Sequence, residues 1–503
     1  MKTQWARLSE RIAEHMGLHF PPERLTDLQR GLAGAADEFG FDDIAACADW
    51  LLSTPLNKAQ LQVLATHLTI GETYFFREKK TFDVLASRVL PDLIHARRGR
   101  EQRLRLWSAA CCSGEEAYSL AILLHQVLPD LADWHVTILA TDINPMFLRK
   151  AVAGSYGEWS FRDAPSGFKE RYFSRTEDGR YAVRSEIKKL VTFEHLNLVE
   201  DIYPSLATDT NAMDLIFCRN VLMYFTPAQT RKVIGNLHHA LMDGGWLAVS
   251  PSEASQALFP QFITQNFPGV ILYQKSEAGL RANDTWTPTP PREDGECVAP
   301  ASARATASPW MPPATAARSP EPRPALPPEK PPPAEIRPTP YALAASLYEQ
   351  GRYEEAADTL LASFAGHTPG PGAFSLLARA LANQGRLADA LAWCDRWIAA
   401  DKMDAAGHYL RAVVLLEHGH PDEARGSLQR ALYLEPNFVL AHFALGSLAR
   451  SRDKRDEADK HFVNTLELLG RLQPHDVLPE SDGLTAGRLT ETITAMTAPG
   501  NTR

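Results

Sequence analysis

Apolar positions change their spacing four times along the chain. Trp5, Leu8, Ile12 and Met16, then Leu25, Leu28 and Leu32, then Ile44, Leu51 and Leu52, then Leu61, Leu64 and Leu68 recur every three or four residues, and Pro21–Pro22, Gly40 and Ser53–Pro55 separate the runs. This spacing predicts a helical domain over residues 1–70. Beyond it, short apolar runs at 104–108, 136–141, 191–194, 213–218, 246–250 and 270–274 alternate with helically spaced segments. That alternation predicts an α/β domain over 71–276, a mostly parallel sheet covered on both faces. Residues 154–190 break the alternation, and FSRTEDG followed by GRYAVRSEIKKLVTF predicts a small antiparallel β insertion.

Residues 277–340, which include ARSPEPRPALPPEKPPPAEIRPTP, cannot form a helix or a central strand and bury too little to offset the entropy of ordering. They are expected to be a disordered, semi-extended linker. After it, Ala356, Ala390, Ala424 and Ala458 share one period of 34 residues with Gly351, Gly385 and Gly419. Glycine at the turn and alanine in the following helix is the tetratricopeptide pattern, predicted over 341–470 as an all-α domain. GHTPGPG interrupts the first unit, and Asp453 replaces the fourth glycine. Stacked helix pairs leave a groove suited to a peptide or helix of a partner protein. The polar residues 471–503 are expected to form a flexible tail.

A chain of 503 residues is too long for one core. Its net charge of −9 argues against nucleic acid as partner. The six cysteines show neither metal spacing nor a disulfide framework, which fits a reducing cytoplasm. The first residues lack an apolar signal region and no run reaches membrane-spanning length, so a cytoplasmic protein with no direct membrane insertion is expected.

Candidate chemistry gathers around LRLWSAACCSGEEAYS, residues 104–119. A short strand there gives way to a helix starting near Glu115. Ser108, Ala109, Ala110, Ser113 and Gly114 let a ligand approach the backbone at that turn. Asp142 ends the next strand, HVTILATDIN, where an acidic side chain accepts hydrogen bonds from a ribose diol. The alternative is an ordinary turn with Asp142 capping a helix that starts at Pro145. In TIGETYFFREKKTFDVL, residues 69–85, Thr73 and Arg77 either face the same site or belong to a domain joint packed with aromatics. Asn197 and Arg219–Asn220 follow two further strands, at the edge where ligands bind.

FFRE at 75–78, WSAACCSGEEAYS at 107–119, ATDIN at 140–144 and FCRNVLMYF at 217–225 resemble, in order and spacing, the signature blocks of the CheR-type chemoreceptor methyltransferases. The repeats make the architecture similar to the WspC and FrzF type, which serves surface sensing, biofilm formation or social motility. The resemblance implies a Rossmann-like S-adenosylmethionine-dependent fold, a protein-glutamate O-methyltransferase, and a chemoreceptor's cytoplasmic domain as substrate. It places cofactor contacts at Thr73, Arg77, Glu115, Asp142, Asn197, Leu198, Arg219 and Asn220. Arg77 is then expected to orient a carboxylate, Glu115 to favour the cationic end of the cofactor, and Tyr224 to line the methyl channel; no metal is implied. Gly71 stands where enteric members have asparagine. Arg24 and Arg30, with Glu23 and Asp27 beside them, replace a more basic receptor-docking helix, and the β insertion resembles in position a subdomain that grips receptor tethers. Cys111 and Cys112 are expected to pack as small residues. The alternative from another class is a non-catalytic repeat scaffold with a vestigial cofactor site.

Overall fold

The computed structural model describes residues 2–99, 101–165, 167–200, 202–205, 208–276, 339–364, 370–481 and 484–497. The predicted linker lies outside them up to residue 338, and so does most of GHTPGPG. Four helices, Lys2–Met16, Leu25–Phe39, Ile44–Ser53 and Lys58–Leu68, form the N-terminal domain around Leu8, Ile12, Leu28, Leu32, Leu51 and Leu64. Local chemistry sets their ends. Gly40, at φ 80°, stops the second helix, the Asp43 carboxylate accepts from the Ala45 and Ala46 amides, and Asn57 and Gln60 cap the fourth reciprocally.

The strands are β1 (Arg103–Ala109), β2 (His135–Asp142), β3 (Ser155–Tyr156), β4 (Phe173–Arg175), β5 (Tyr181–Val183), β6 (Val191–His195), β7 (Met213–Cys218), β8 (Leu241–Ala248), β9 (Ile263–Phe267) and β10 (Val270–Gln274). Seven of them form one sheet in the order β6-β2-β1-β7-β8-β10-β9, parallel from β6 to β8 and antiparallel beyond. The remaining three form the antiparallel insertion, in the order β3-β5-β4. All six expected strands are present. The seventh, β9, is a half-exposed edge strand reading ITQNF, with no apolar run to betray it.

Strand alternation divides the core. Leu104 and Leu106 of β1 join Leu120, Ile122 and Leu124 of the helix Glu115–Val127. Trp107 and Ala109 point to the other face, with Val233, Ile234 and Leu237 of the helix Pro227–Ala240. Phe75, Phe76 and Phe82 are core as well. Phe75 sits 5.0 Å from each of Tyr156, Phe161 and Phe173, which locks the insertion to the sheet.

Four helix pairs follow: Pro340–Glu349 with Tyr353–Ser363, Pro371–Asn383 with Leu387–Ala400, Ala405–Glu417 with Pro421–Leu434, and Val439–Ser451 with Arg455–Leu469. Gly351, Gly385 and Gly419 turn each of the first three pairs at φ 73°, 71° and 79°, and Asp453 makes the same left-handed turn at 57°. The tail departs from expectation. Residues Ala486–Thr497 form a helix, with Leu489 and Ile493 buried against the last repeat. The apolar side of a terminal repeat needs a cap, and four dispersed apolar residues (Leu478, Leu484, Leu489 and Ile493) supply it within a polar composition. Among the described residues no helix is long and apolar enough to cross a membrane.

Candidate active site

The turn after β1 is built by strained backbone. Ala110 and Cys112 adopt positive φ of 65° and 52°, and Gly114, at 92°, starts the helix Glu115–Val127. Asn220, in the wall of the same cavity, is likewise left-handed at 58°, as are Phe76 and Glu78, the neighbours of the cavity residue Arg77, at 56° and 60°. Such clustering marks a ligand site. Thr73, Arg77, Cys112, Asp142, Asn197, Leu198, Arg219, Asn220 and Tyr224 line this one cavity, joined by His19, Phe20 and Arg24 of the N-terminal domain.

Asp142 does not cap the next helix; Asn144 does, accepting from the Met146 and Phe147 amides. The Asp142 carboxylate instead accepts from the Cys112 and Asn144 amides at 2.8 Å each. These bonds favour the ionised form, yet burial dominates and pushes the carboxyl up to about 6. Burial also pushes the Cys112 thiol up to about 12 and the Cys111 thiol well above its usual value. Both are packing residues rather than nucleophiles.

Glu115, expected at the cofactor, is not in the cavity wall, whereas its neighbour Glu116 is. Glu115 is buried away from the cavity, accepting from Ser113 Oγ at 2.8 Å and Ser160 Oγ at 3.0 Å. Glu116 is in the cavity wall, bonded to Ser108 Oγ at 2.7 Å and 3.2 Å from Arg219. A helix turns about 100° per residue, so only one of two adjacent side chains can face the ligand. Arg219 also pairs with Glu78 at 2.7 Å and donates to the Arg77 carbonyl at 2.7 Å. It thereby ties the Arg77 turn to the wall that holds Glu116.

Asn197 donates to the His15 carbonyl at 2.7 Å, so its amide pins the first helix of the N-terminal domain to the strand ends. The Tyr224 ring lies 5.5 Å below the Arg24 guanidinium, and the Tyr224 carbonyl accepts from the His19 amide. Arg24 itself precedes the helix that carries Arg30, and Asp27 neutralises both. A Cβ at Gly71 would meet the Phe147 ring at 2.6 Å, so the missing side chain makes room for a cavity-wall aromatic. Glu253 had no signal in the sequence, being a lone acid in SPSEA outside any period. Its carboxylate accepts from the Asn220, Val221 and Met223 amides and from Ser250, and so fixes the loop that presents Asn220 and Tyr224.

Residues 71–266 match the family model described as CheR methyltransferase, SAM binding domain, and residues 341–405 and 409–459 match the tetratricopeptide repeat. Chemotaxis protein methyltransferase 1 of Pseudomonas aeruginosa is 39% identical over 220 residues, 42% of this chain and 77% of that protein. Chemotaxis protein methyltransferase 2 of Vibrio cholerae is 34% identical over 44% of this chain and 75% of its own length. The chemotaxis protein methyltransferase of Borreliella burgdorferi is 30% identical over 50% and 88%. The donor set fits S-adenosylmethionine: a buried carboxylate for the ribose, apolar walls at Leu198 and Phe225, and charged groups at Arg77, Glu116 and Arg219. With that set in a CheR-type sheet, and with relatives covered over three quarters of their length or more, the chain belongs to the chemotaxis methyltransferases, S-adenosylmethionine-dependent enzymes, here joined to tetratricopeptide repeats.

Proposed function

We propose that this enzyme methylates glutamate side chains of a chemoreceptor's cytoplasmic helical bundle, forming methyl esters that tune a chemosensory pathway. The observation that carries the reading is the single cavity in which Asp142, Glu116, Arg219 and Arg77 meet Tyr224 and Arg24. When bound, S-adenosylmethionine supplies an electrophilic sulfonium methyl. A glutamate carboxylate, with an ordinary pKa of about 4.3, is ionised at neutral pH and attacks such a methyl without a general base. Two opposite charges disappear as ester and thioether form, so in-line placement and exclusion of water do most of the work. Placement of this kind is worth about 7–11 kcal/mol.

Each side chain then has a task. Asp142 accepts from the ribose hydroxyls, Glu116 rather than Glu115 faces the cationic end, and Arg77 orients a carboxylate. Leu198 packs on the base, and Asn197 acts by holding the N-terminal domain over it. Thr73 and Asn220 complete the polar wall, and Tyr224 with Arg24 borders the path of the incoming side chain. An intact set of this kind argues against a vestigial site. The repeats favour a surface-sensing system, as in chains of similar architecture, and they engage a protein.

Transfer of radiolabelled methyl to membranes containing candidate receptors tests the reading. Base-labile label on a receptor is expected, reduced about a hundredfold by Arg77→Ala through lost positioning. Base-stable label, or label on a small molecule, would overturn the substrate class.

A further inference from the structure

Among the described residues, no helix of the methyltransferase domain covers half of one face of the sheet. The helix Pro227–Ala240 covers β7 and β8, whereas the β1-β2-β6 half faces a cavity of 540 Å³ whose far wall is made by repeat helices. That wall is the first helices of the third and fourth repeats, through Val413, Leu416, Leu440 and Phe443, together with Leu489 of the cap. The first helices of the first three repeats stack on one another, and the wall continues that layer.

Two independent features mark the contact as built. The first is charge. Arg103 and Arg105 lie on one side of a strand that is buried throughout. Arg105 bonds within its own domain, to the Asn211 carbonyl and to Asp209. The carboxylate within 4 Å of Arg103 comes from the repeats: Glu417 lies 3.7 Å away, and the two are 3% and 6% exposed, with Asp214 and Glu101 of its own domain acting from farther off. Glu417 also accepts from Asn211. Desolvated charges are tolerated only when paired, so each domain carries half of an arrangement the other completes.

The second feature is the 34-residue period itself. The three turn glycines sit against the methyltransferase domain in succession: Gly351 on His239, Gly385 on Met242 and Gly419 on His135. A Cβ at Gly385 would come within 2.6 Å of Met242 Cε, and one at Gly419 within 3.3 Å of His135 Nδ1. Met242 and His135 lie at the N-terminal ends of β8 and β2, and His239 at the end of the helix that leads into β8, on the edge opposite the cofactor cavity. The cap segment reaches the other edge, where Pro474, Thr485 and Gly487 share a cleft with Ile143, His195 and Asn197.

We infer that the inner face of the repeats is a docking surface for this chain's own sheet, and that docking raises cofactor affinity by holding β2 and β6. The argument is one of linkage. Asp142 ends β2, and Asn197 follows β6. The repeats meet β2 at His135 and face β2 and β6 across the cavity between them, and among the described residues they add none to the wall of the cofactor site. The docked array therefore leaves the site open while favouring the arrangement that binds cofactor, and bound cofactor favours the docked array by the same factor. An external peptide must use another surface of the repeats or displace the sheet.

The test uses the full chain with a specific protease site inserted within residues 277–338. After cleavage the two pieces are expected to co-elute in gel filtration at low micromolar concentration. Glu417→Arg or Arg103→Glu should part them, and the double exchange should bring them together again. In the uncut chain, calorimetric affinity for S-adenosylhomocysteine is expected to fall about tenfold in each single variant and to recover in the double. Two single variants in different domains, rescued by their combination, separate loss of the contact from misfolding. Wild-type pieces that part on the column would overturn the docking. Pieces that co-elute, with single variants that bind the cofactor product as the wild type does, would overturn the coupling. Methyl transfer is not read, so the substrate can be other than a receptor without disturbing either outcome.

Discussion

Asp142 holds its proton to about pH 6, because burial outweighs the amide bonds that favour its charge. Ribose hydroxyls donate to the ionised form, so the bound state prefers the carboxylate. Affinity for S-adenosylhomocysteine is then expected to be level above about pH 6 and to fall by about tenfold per unit below it. Calorimetry at a series of pH values checks this, and Asp142→Asn should bind weakly with no such slope. The neighbouring pair offers a sharper contrast. Glu116→Gln should weaken cofactor binding, and Glu115→Gln should leave it unchanged while loosening the contact with Ser160. The sequence makes the acidic doublet visible. It does not say which member faces inward, because that is decided by the rotation of the helix after Gly114, and the rotation is set by a left-handed turn that no periodicity records.

Whole elements are read more easily than their ends. β2 and β7 carry mostly apolar runs because parallel strands are buried on both faces, whereas β1, equally buried, alternates arginine with leucine at its start. β9 sits at an antiparallel edge with one side in water, and its polar composition hides it. The cap helix at Ala486–Thr497 escapes for a related reason, since a helix that buries one narrow stripe can be polar in its average. The loop after β7 depends on an element far from it in sequence. Five bonds converge on Glu253, and removing the carboxylate leaves four backbone amides, those of Asn220, Val221, Met223 and Ser250, without an acceptor. Glu253→Ala is expected to cost about 3 kcal/mol. A lowered thermal midpoint, together with lost cofactor affinity, would show that the loop is held from β8; an unchanged midpoint would not be compatible with these bonds.

At the scale of the molecule, the order of domains was legible and their arrangement was not. A 34-residue period announces repeats, but it is a property of the array alone and carries no word about what the array leans on. The one hint is Arg103–Leu104–Arg105–Leu106, two charges on one side of a strand that parallel packing would bury. Such a strand asks for a partner, and the partner lies more than three hundred residues further on, at Glu417. The resemblance carried the fold, the cofactor and most of the cavity, because those rest on four local blocks. Contacts between blocks, such as Asn197 with His15, are invisible to any local pattern.

Repeat arrays ordinarily change length by duplicating or losing a unit, since each unit touches only its neighbours. Here three consecutive turns meet a sheet edge of fixed width, and one carboxylate in the third unit meets one arginine in the sheet. An added or lost unit between Gly385 and Gly419 would shift every later contact by a whole repeat and take from buried Arg103 its nearest countercharge. A lineage that keeps this arrangement has given up the easiest way in which such domains evolve, and its repeat number should behave as a property of the enzyme rather than of the array.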